Sequence, residues 1–329
     1  MRMARPFIPW VGGKEKLIPN ISRILPTHTS QYLEPFGGGG ALLLHLEPKN
    51  SRLDIYNDYN SDLVNLFLCV KEKTNVLMRE LGYLPLHSRK EFELYKNFLA
   101  HKTQYFQNIR EEIEVLEDRT CFTEEQANEL LPIFQERAQL YDVVRAAAYC
   151  KRAWGSFSGT TTSFGVKTLD MERVGKRIMD ASLRLKDVVI ENKDAVALIR
   201  ERDRLDGIIY CDPPYYEAEK SYEALFPKRA HVRLWKVLKE CKGFVIVSYN
   251  DCPYIRNLYK DFFILTFDRH NSMSQRAGAR YGELLITNYD PRQFIDQLDL
   301  FGEYGGLGNM RLVRIPKNPL KTVNGGIKL

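Results

Sequence analysis

The stretch from residue 31 to residue 58 limits the possible folds more than any other part of this 329-residue chain. It contains a short strand in "QYLEPF", a run of four glycines, a helix that begins with "ALLLHL" and a second strand in "SRLDIYND". A strand, a helix and another strand in this order form the unit from which doubly wound parallel sheets are built. We therefore predict an α/β fold that opens with a βαβ unit.

The same alternation returns after about residue 187. The segments "VVIEN", "GIIYC", "GFVIVSYN", "FFILTF" and "YGELLITNY" have the composition of strands, and helical stretches such as "AHVRLWKVLKE" separate some of them. Only a loop lies between "FFILTF" and "YGELLITNY", so we expect these two strands to pair antiparallel.

The middle of the chain has a different pattern, rich in charge and mostly helical. Thr123–Gln126, "TEEQ", is a capping box that predicts a helix start, and Pro132 should kink or break that helix. The Gly/Ser/Thr-rich stretch "WGSFSGTTTSFGVKT" then predicts a hairpin or an exposed loop.

These patterns divide the chain into three parts. Residues 1–61 and 187–300 should form one domain, and residues 62–186 should form a helical insertion with a short hairpin. Residues 301–329 form a basic tail, which is either a mobile arm on a nucleic acid or a disordered terminus.

Composition excludes several classes of protein. The content of 44% hydrophobic and 27% charged residues is ordinary for a globular protein. The chain has no apolar run of about 18 residues and no signal-peptide core at its start, so we expect a cytoplasmic location. The six cysteines form no Cys-x-x-Cys pair, which argues against a zinc site or a disulfide framework. The net charge of +6 fits a polyanionic partner without requiring one.

The glycine run "EPFGGGG", Glu34–Gly40, lies where a strand meets a helix. Glycines allow a sharp turn and a close approach of a ligand to the backbone, and the helix start offers unpaired N–H groups. Neither a P-loop nor a dinucleotide fingerprint is matched, so the pattern favours another nucleoside-like ligand, or a turn without a ligand. Asp58 ends the second strand, where it could accept from ribose hydroxyls or belong to a helix-capping turn.

The motif "DPPY" follows the strand "GIIYC" and is the strongest chemical signal. Asp212 offers an acceptor oxygen, Pro213 leaves its carbonyl free at a rigid bend, and Tyr215 offers an aromatic face. Together they suit a planar base whose exocyclic amine donates to two acceptors. Cys211 has the opposite parity in the strand from Asp212, so we expect its thiol to lie in the core and take no part in chemistry.

Four motifs in one order resemble those of a known family. "FxxWxGGK", "EPFGGGG", "NDxNxDL" and "DPPY" look like the Dam-type, or D12 class, DNA adenine-N6 methyltransferases, and "GELLITNY" is similar to the closing strand of phage-borne members. The resemblance implies a Rossmann-like class I methyltransferase sheet with an inserted, mostly helical DNA-recognition domain. It implies S-adenosylmethionine as methyl donor, no metal, and an adenine flipped out of double-stranded DNA as the acceptor.

The resemblance also assigns roles to residues. The catalytic motif is Asp212, Pro213, Pro214 and Tyr215. The residues implied to bind the methyl donor are Trp10, Lys14, Glu34, Phe36, Gly37, Gly38, Asp58, Asp194 and Asp212. The residues placed where the family contacts DNA are Lys151, Arg152, Ser158 and Thr160. Arg276 and Arg280, in the polar loop "RHNSMSQRAGAR", are a second candidate for contact with the DNA backbone. The loop "FSGTTTSFG" lacks the Asn and Pro of members that read GATC, so GATC is not predicted as the recognition site.

Two other functions remain open from the sequence. An N4-cytosine methyltransferase also acts on an exocyclic amine, although the cytosine members more often carry Ser in place of the acid. A DNA-binding module with an inactive methylase fold is the alternative outside the enzymes. As partners the resemblance allows a cognate restriction enzyme, and we expect a monomer or a weak dimer.

Overall fold

The structure is a computed structural model that describes most of the chain. The described residues are 3–10, 12–26, 28–82, 89–100, 123, 125, 128, 132, 141–156, 165, 170–216, 226–270, 280–295 and 306–320. The chain divides into two compact units. The first unit comprises residues 1–3, 12–59 and 187–329, and the second comprises residues 4–11 and 60–186.

A single sheet organises the first unit. Its strands, among the described residues, are β1 (Gln31–Glu34), β2 (Leu53–Asn57), β3 (Val188–Glu191), β4 (Gly207–Cys211), β5 (Phe244–Asn250), β6 (Phe263–His270), β7 (Arg280–Thr287) and β8 (Arg311–Arg314). They lie in the order β3-β2-β1-β4-β5-β7-β6-β8. The pairs from β3 to β5 are parallel, and β7 runs antiparallel to both β5 and β6. The predicted α/β class and the antiparallel pairing of β6 with β7 are confirmed.

Helices connect the strands of this unit. They are α1 (Ile18–Ile24), α2 (Ala41–His45), α8 (Ala195–Arg202), α9 (Lys228–Glu240) and α10 (Pro253–Leu258). The five helices that lie between α2 and α8 in the chain belong to the second unit. A core cluster joins Leu33, Ile209 and Val245 of the strands to Leu198 of α8 and Leu234 of α9. The sheet residues in this cluster alternate along each strand, so α8 and α9 cover one face of the sheet.

Cys211 belongs to that core cluster and is fully buried. This confirms the orientation that strand alternation predicts for it. The described cysteines are free thiols, as expected from their spacing.

Part of the basic tail joins the sheet. Arg311–Arg314 forms the edge strand β8 and pairs antiparallel with β6. This strand was not predicted, because four residues with two charges give little periodic signal.

The second unit is helical in its described part. Its helices are α3 (Ser61–Glu72), α4 (Thr74–Gly82), α5 (Arg89–Ala100), α6 (Val143–Gly155) and α7 (Met171–Leu185). Helix α6 packs against α3, α4 and α5, and α7 packs against α3 and α4. Side chains cap the starts of three helices: Asn60 caps α3, Asp142 caps α6 and Asp170 caps α7.

Residues 4–11 belong to the second unit, although the sequence analysis placed them with the sheet. Phe7 packs on Phe67 of α3 with ring centroids 4.8 Å apart. The indole N–H of Trp154 donates to the Phe7 carbonyl at 3.0 Å, and Arg177 donates to the Pro6 carbonyl at 3.2 Å. These contacts anchor the segment to the helices.

Several predictions fall on residues outside the described ranges. Of the capping box at Thr123–Gln126 only two positions are described, and most of the loop around residues 157–164 is not described. The Gly165 N–H donates to the Gly155 carbonyl at 2.8 Å, so the two ends of that loop lie side by side. No helix in the described part of the chain is long and apolar enough to span a bilayer.

Candidate active site

The sheet places two of the sequence motifs beside each other. The strand order reverses between β1 and β4, which are neighbours in the sheet. Ligands of open α/β sheets bind outside the carboxyl ends of the strands at such a reversal. The glycine turn follows β1 and the DPPY motif follows β4, so both lie at this point.

The glycine turn is shaped by its backbone and by Tyr56. Gly38 and Gly40 have φ angles of 49° and 64°, in the left-handed region that glycine adopts most readily. The ring of Tyr56 packs directly on Gly37, and its hydroxyl donates to the Gly38 carbonyl at 2.8 Å. The Gly38 N–H donates to Asp58 Oδ2 at 2.9 Å, so the end of β2 fixes the turn from the other side.

Glu34 supports the same turn from within the protein. It is buried, and its Oε2 accepts from the Tyr32 hydroxyl at 3.1 Å and from the Leu43 N–H at 3.2 Å. The carboxylate therefore ties the end of β1 to the first turn of α2, where negative charge is favourable.

Asp212 lies at the centre of a polar network. Lys14 Nζ lies 2.8 Å from its Oδ1, and Ser248 donates to the same oxygen at 3.2 Å. Tyr210, which is fully buried, shares a hydrogen bond of 3.0 Å with the Ser248 hydroxyl. Both contacts of the carboxylate engage Oδ1, so within the described residues Oδ2 remains available as an acceptor.

Opposing effects act on the pKa of the Asp212 carboxyl. Burial raises the pKa above its usual range, the ammonium of Lys14 works against that rise, and the nearby carboxylate of Glu283 adds to it. The side chain is one-fifth exposed, so the carboxylate is mostly desolvated yet can be reached from outside. A desolvated acceptor interacts more strongly with an incoming N–H group than one in water.

Tyr215 is held at both its hydroxyl and its ring. The hydroxyl donates to Glu283 Oε2 at 2.6 Å, and the ammonium of Lys14 lies 4.5 Å from the ring centroid. Burial and the charges of Asp212 and Glu283 raise the pKa of the phenol well above its usual value, so it keeps its proton. Lys14 thus contacts the side chains of Asp212 and Tyr215, and its Nζ also donates to the Gly12 carbonyl at 2.7 Å.

Comparison with known proteins identifies the family. The family model described as "D12 class N6 adenine-specific DNA methyltransferase" matches residues 10–273. The DNA adenine methylase of Haemophilus influenzae is 42% identical over 287 residues, which cover 84% of this chain and 90% of the relative. The Type II methyltransferase M.MjaIII of Methanocaldococcus jannaschii is 34% identical over 314 residues, which cover 87% of this chain and 99% of the relative. This chain belongs to the D12 class of N6 adenine-specific DNA methyltransferases.

A third relative, the Type II methyltransferase M1.LlaDCHI of Lactococcus lactis, is 26% identical over 87% of this chain and 95% of its own length. The family and these relatives confirm the predicted enzyme class, N6 methylation of adenine in DNA. The comparisons do not assign roles to single residues, so the roles below remain predictions.

Asp194 of this methyltransferase has hydrogen-bond partners that were not predicted from the sequence. Its Oδ1 accepts from the Ala197 N–H at 2.9 Å, which caps α8, and Arg233 of α9 binds both of its oxygens at 2.7 and 2.9 Å. The hydrogen bonds from Ala197 and Arg233 hold the pKa of this carboxyl below its usual value despite partial burial. Any ligand that binds Asp194 has to share the carboxylate with Arg233.

Lys151 requires a correction. It was expected to contact DNA, but it is only 1% exposed within the second unit, and its ammonium lies 5.9 Å from the centroid of the Tyr95 ring. Helix α6 turns this residue towards α5, so the ammonium cannot reach a phosphate in this arrangement. The neighbouring Arg152 is half-buried and stays a candidate.

Other predicted residues can be placed only in part. Phe36 is half-buried, with its ring 5.7 Å from that of Phe226. Trp10 is half-buried and belongs to the second unit. Ser158, Thr160 and Arg276 lie outside the described residues. No group of three or more His, Cys, Asp or Glu side chains suited to a metal ion occurs in the described part of the chain.

Sequence reasoning missed Ser248, Glu283 and Tyr56. The motif "NDxNxDL" was also open to interpretation as a helix-capping turn. Asn60 does cap α3, because its side chain accepts from the N–H groups of Asp62 and Leu63. A polar residue inside an apolar strand was the available signal for Ser248 in "FVIVSYN" and for Glu283 in "YGELLIT". Such residues in buried strands need partners, and these two find them in the DPPY motif.

Proposed function

We propose that this methyltransferase transfers the methyl group of S-adenosylmethionine to N6 of an adenine that has turned out of duplex DNA. The observation that carries the proposal is the Asp212 carboxylate, whose Oδ1 is held by Lys14 and Ser248 while Oδ2, among the described residues, stays available as an acceptor. The same Lys14 also contacts the Tyr215 ring. Because an adenine inside a duplex cannot reach such a recess, the base has to leave the stack.

The residues around the glycine turn fit a nucleoside-bearing donor. Gly38 and Gly40 adopt left-handed conformations beside the start of α2, which lets a ligand approach the backbone closely. We propose that Phe36, Gly37 and Gly38 lie against the donor and that Asp58 accepts from its ribose. When bound, S-adenosylmethionine supplies a methyl group on a positively charged sulfur.

Other donor contacts follow from the motifs. Glu34 acts through the turn that it braces, and Asp194 contributes while paired with Arg233. Lys14 is placed to neutralise Asp212 or to meet the donor's carboxylate. Trp10 is proposed from its motif alone.

The DPPY motif then prepares the amine. Asp212 Oδ2 and the Pro213 carbonyl accept the two amine hydrogens, which draws the nitrogen lone pair out of conjugation with the ring. Tyr215 stacks on the base, and Pro214 stiffens the bend between acceptor and ring. Preorganised polar groups of this kind contribute about 3 kcal/mol each, by analogy with oxyanion-hole donors.

Cys211 takes no part in this mechanism. The exocyclic nitrogen already carries a lone pair, so no covalent attachment to the protein is needed. The thiol is fully buried, and burial raises its pKa well above the usual value, which disfavours the nucleophilic thiolate.

DNA contacts are proposed for Arg152, Ser158, Thr160 and Arg276, with phosphates as the first targets of the arginines. A cognate restriction enzyme is proposed as a partner from the Type II names of relatives such as M1.LlaDCHI and M.MjaIII.

The product of the reaction tests the proposal. The purified protein is incubated with plasmid DNA and S-adenosylmethionine, and the DNA is digested to nucleosides for mass spectrometry. We expect N6-methyladenine from the wild type and none from Asp212→Ala. N4-methylcytosine without N6-methyladenine would contradict the assignment of the base, and absence of any donor binding by calorimetry would contradict the donor.

A further inference from the structure

Glu283 lies behind the DPPY motif on a strand that the motif does not include. It is in the first half of β7, opposite Asn250 of β5 and Phe267 of β6. Because β7 runs antiparallel to its neighbours, its first half reaches the edge where the parallel strands end. A residue at this position can therefore contact the loop that follows β4.

The contact between Glu283 and Tyr215 has the geometry of a strong hydrogen bond. The distance of 2.6 Å from the phenol oxygen to Oε2 is typical of a hydroxyl that donates to an ionised carboxylate. Glu283 is only 3% exposed, so water competes little for this bond.

This bond restricts the ring that is proposed to receive the base. A tyrosine side chain has two rotatable bonds, and fixing the position of its hydroxyl fixes the direction of the ring axis. Because a phenol O–H prefers to lie in the plane of its ring, a fixed acceptor also favours one orientation of that plane. Lys14, 4.5 Å from the ring centroid, contacts a face of the ring and not its hydroxyl, so it does not replace Glu283 as the anchor. A ring ordered in advance does not lose that freedom when the base arrives.

We infer that Glu283 is a positioning residue for base capture, which orients the Tyr215 ring through its hydroxyl before the adenine enters. The inference rests on the proposed function, since it requires a base to stack on Tyr215. Glu283 does not touch the base or the donor in this role. The proposed effect on base capture passes through the Tyr215 hydroxyl.

A double-mutant cycle tests this dependence. Glu283→Met keeps the length of the side chain and removes the acceptor, Tyr215→Phe keeps the ring and removes the donor, and Glu283→Gln keeps an acceptor oxygen. We expect Glu283→Met and Tyr215→Phe each to lower the single-turnover methylation rate by about 10- to 100-fold, as expected for a hydrogen bond to a charged group. The double variant should be no slower than the slower single variant, and Glu283→Gln should recover most of the rate.

A spectroscopic measurement separates positioning from general support of the fold. An oligonucleotide with 2-aminopurine in place of an adenine that the wild type methylates reports stacking of the flipped base by quenching. We expect weaker quenching with Glu283→Met at saturating DNA, with S-adenosylmethionine affinity by calorimetry unchanged. Glu240→Met, which removes an exposed carboxylate at the end of α9, is the matched control and should behave as the wild type.

The outcomes are distinguishable from failure of the proposed function. If the wild type neither binds S-adenosylmethionine nor forms N6-methyladenine, the proposed function is wrong. If the wild type is active but Glu283→Met keeps its rate within about twofold, or if the losses in the double variant multiply, only the role of Glu283 is wrong.

Discussion

Replacing Gly37 with alanine tests whether the Tyr56 ring shapes the glycine turn. The added Cβ would lie 2.2 Å from Cε2 and 2.6 Å from Cδ2 of that ring. Apolar carbons pack at about 3.5–4.0 Å, so the ring has to move by more than about 1 Å. Tyr56 is fully buried and its hydroxyl bonds to the Gly38 carbonyl, so the movement also breaks that bond.

The expected loss follows from these two effects. Overpacking a core position costs about 1–3 kcal/mol, and the broken hydrogen bond adds about 1 kcal/mol. We therefore expect Gly37→Ala to lower the free energy of unfolding by about 2–4 kcal/mol in urea denaturation. Donor affinity by calorimetry should fall as well, because the turn is displaced.

Two further variants isolate the cause. Gly82→Ala adds a methyl group at the end of α4, where no described residue lies within 4 Å, and should leave stability unchanged or raise it by up to about 1 kcal/mol. In a Tyr56→Leu background the added methyl at residue 37 meets no ring, so its cost should fall below about 1 kcal/mol. An unchanged cost in that background, or a Gly37→Ala protein as stable as the wild type, would refute the reasoning.

Three other outcomes follow from the site and its surroundings. Cys211→Ser should keep most of the single-turnover rate, whereas Asp212→Ala should lose methylation by orders of magnitude; an inactive Cys211→Ser that still folds and binds the donor would contradict direct transfer. Because burial raises the pKa of Asp212, the rate should fall with decreasing pH from a higher pH than an exposed aspartate gives, and Lys14→Met should move that fall to still higher pH. Protonation of Asp212 should not destabilise the fold, because a raised pKa means that the folded protein binds this proton more tightly than the unfolded chain does. The rate should therefore fall while the protein stays folded, which near-ultraviolet circular dichroism can verify. Burial lowers the pKa of His231 to about 4, so its contribution to stability is full above about pH 6.5 and is lost as pH falls towards 4; His231→Asn should flatten this part of the pH dependence of urea unfolding, and an unchanged slope would contradict it.

The fold was predictable because its signals are local. The strands from β3 to β7 are apolar runs bounded by polar residues, and the short connection between β6 and β7 restricts them to an antiparallel pair. The four-residue edge strand β8 lacked such a signal, and its pairing depends on β6 being already in place.

The error at Lys151 shows that charge alone does not predict a contact with DNA. In helix α6, residues three and four positions earlier share a face with a given residue, and for Lys151 these are Ala148 and Ala147. Both alanines are buried, but so is Tyr149 on the opposite side of the helix, so helical periodicity alone does not single out Lys151 as an inward side chain. Its burial follows from the packing of α6 against three other helices, α3, α4 and α5, which the sequence does not reveal.

The partners of the DPPY motif could not be predicted in the same way, because they depend on the register of strands distant in sequence. Tyr210 pairs with Ile246 and Asn250 with Glu283, so Tyr210, Ser248 and Glu283 share one face of the sheet. Cys211, Val247 and Leu284 have the opposite parity and belong to the apolar core on the other face. A slip of one residue in β7 would place Glu283 in that core and a leucine behind Tyr215. The cluster of polar side chains on this face is therefore a consequence of register, and the same pairing that fixes the core also fixes the residues that hold Asp212 and Tyr215.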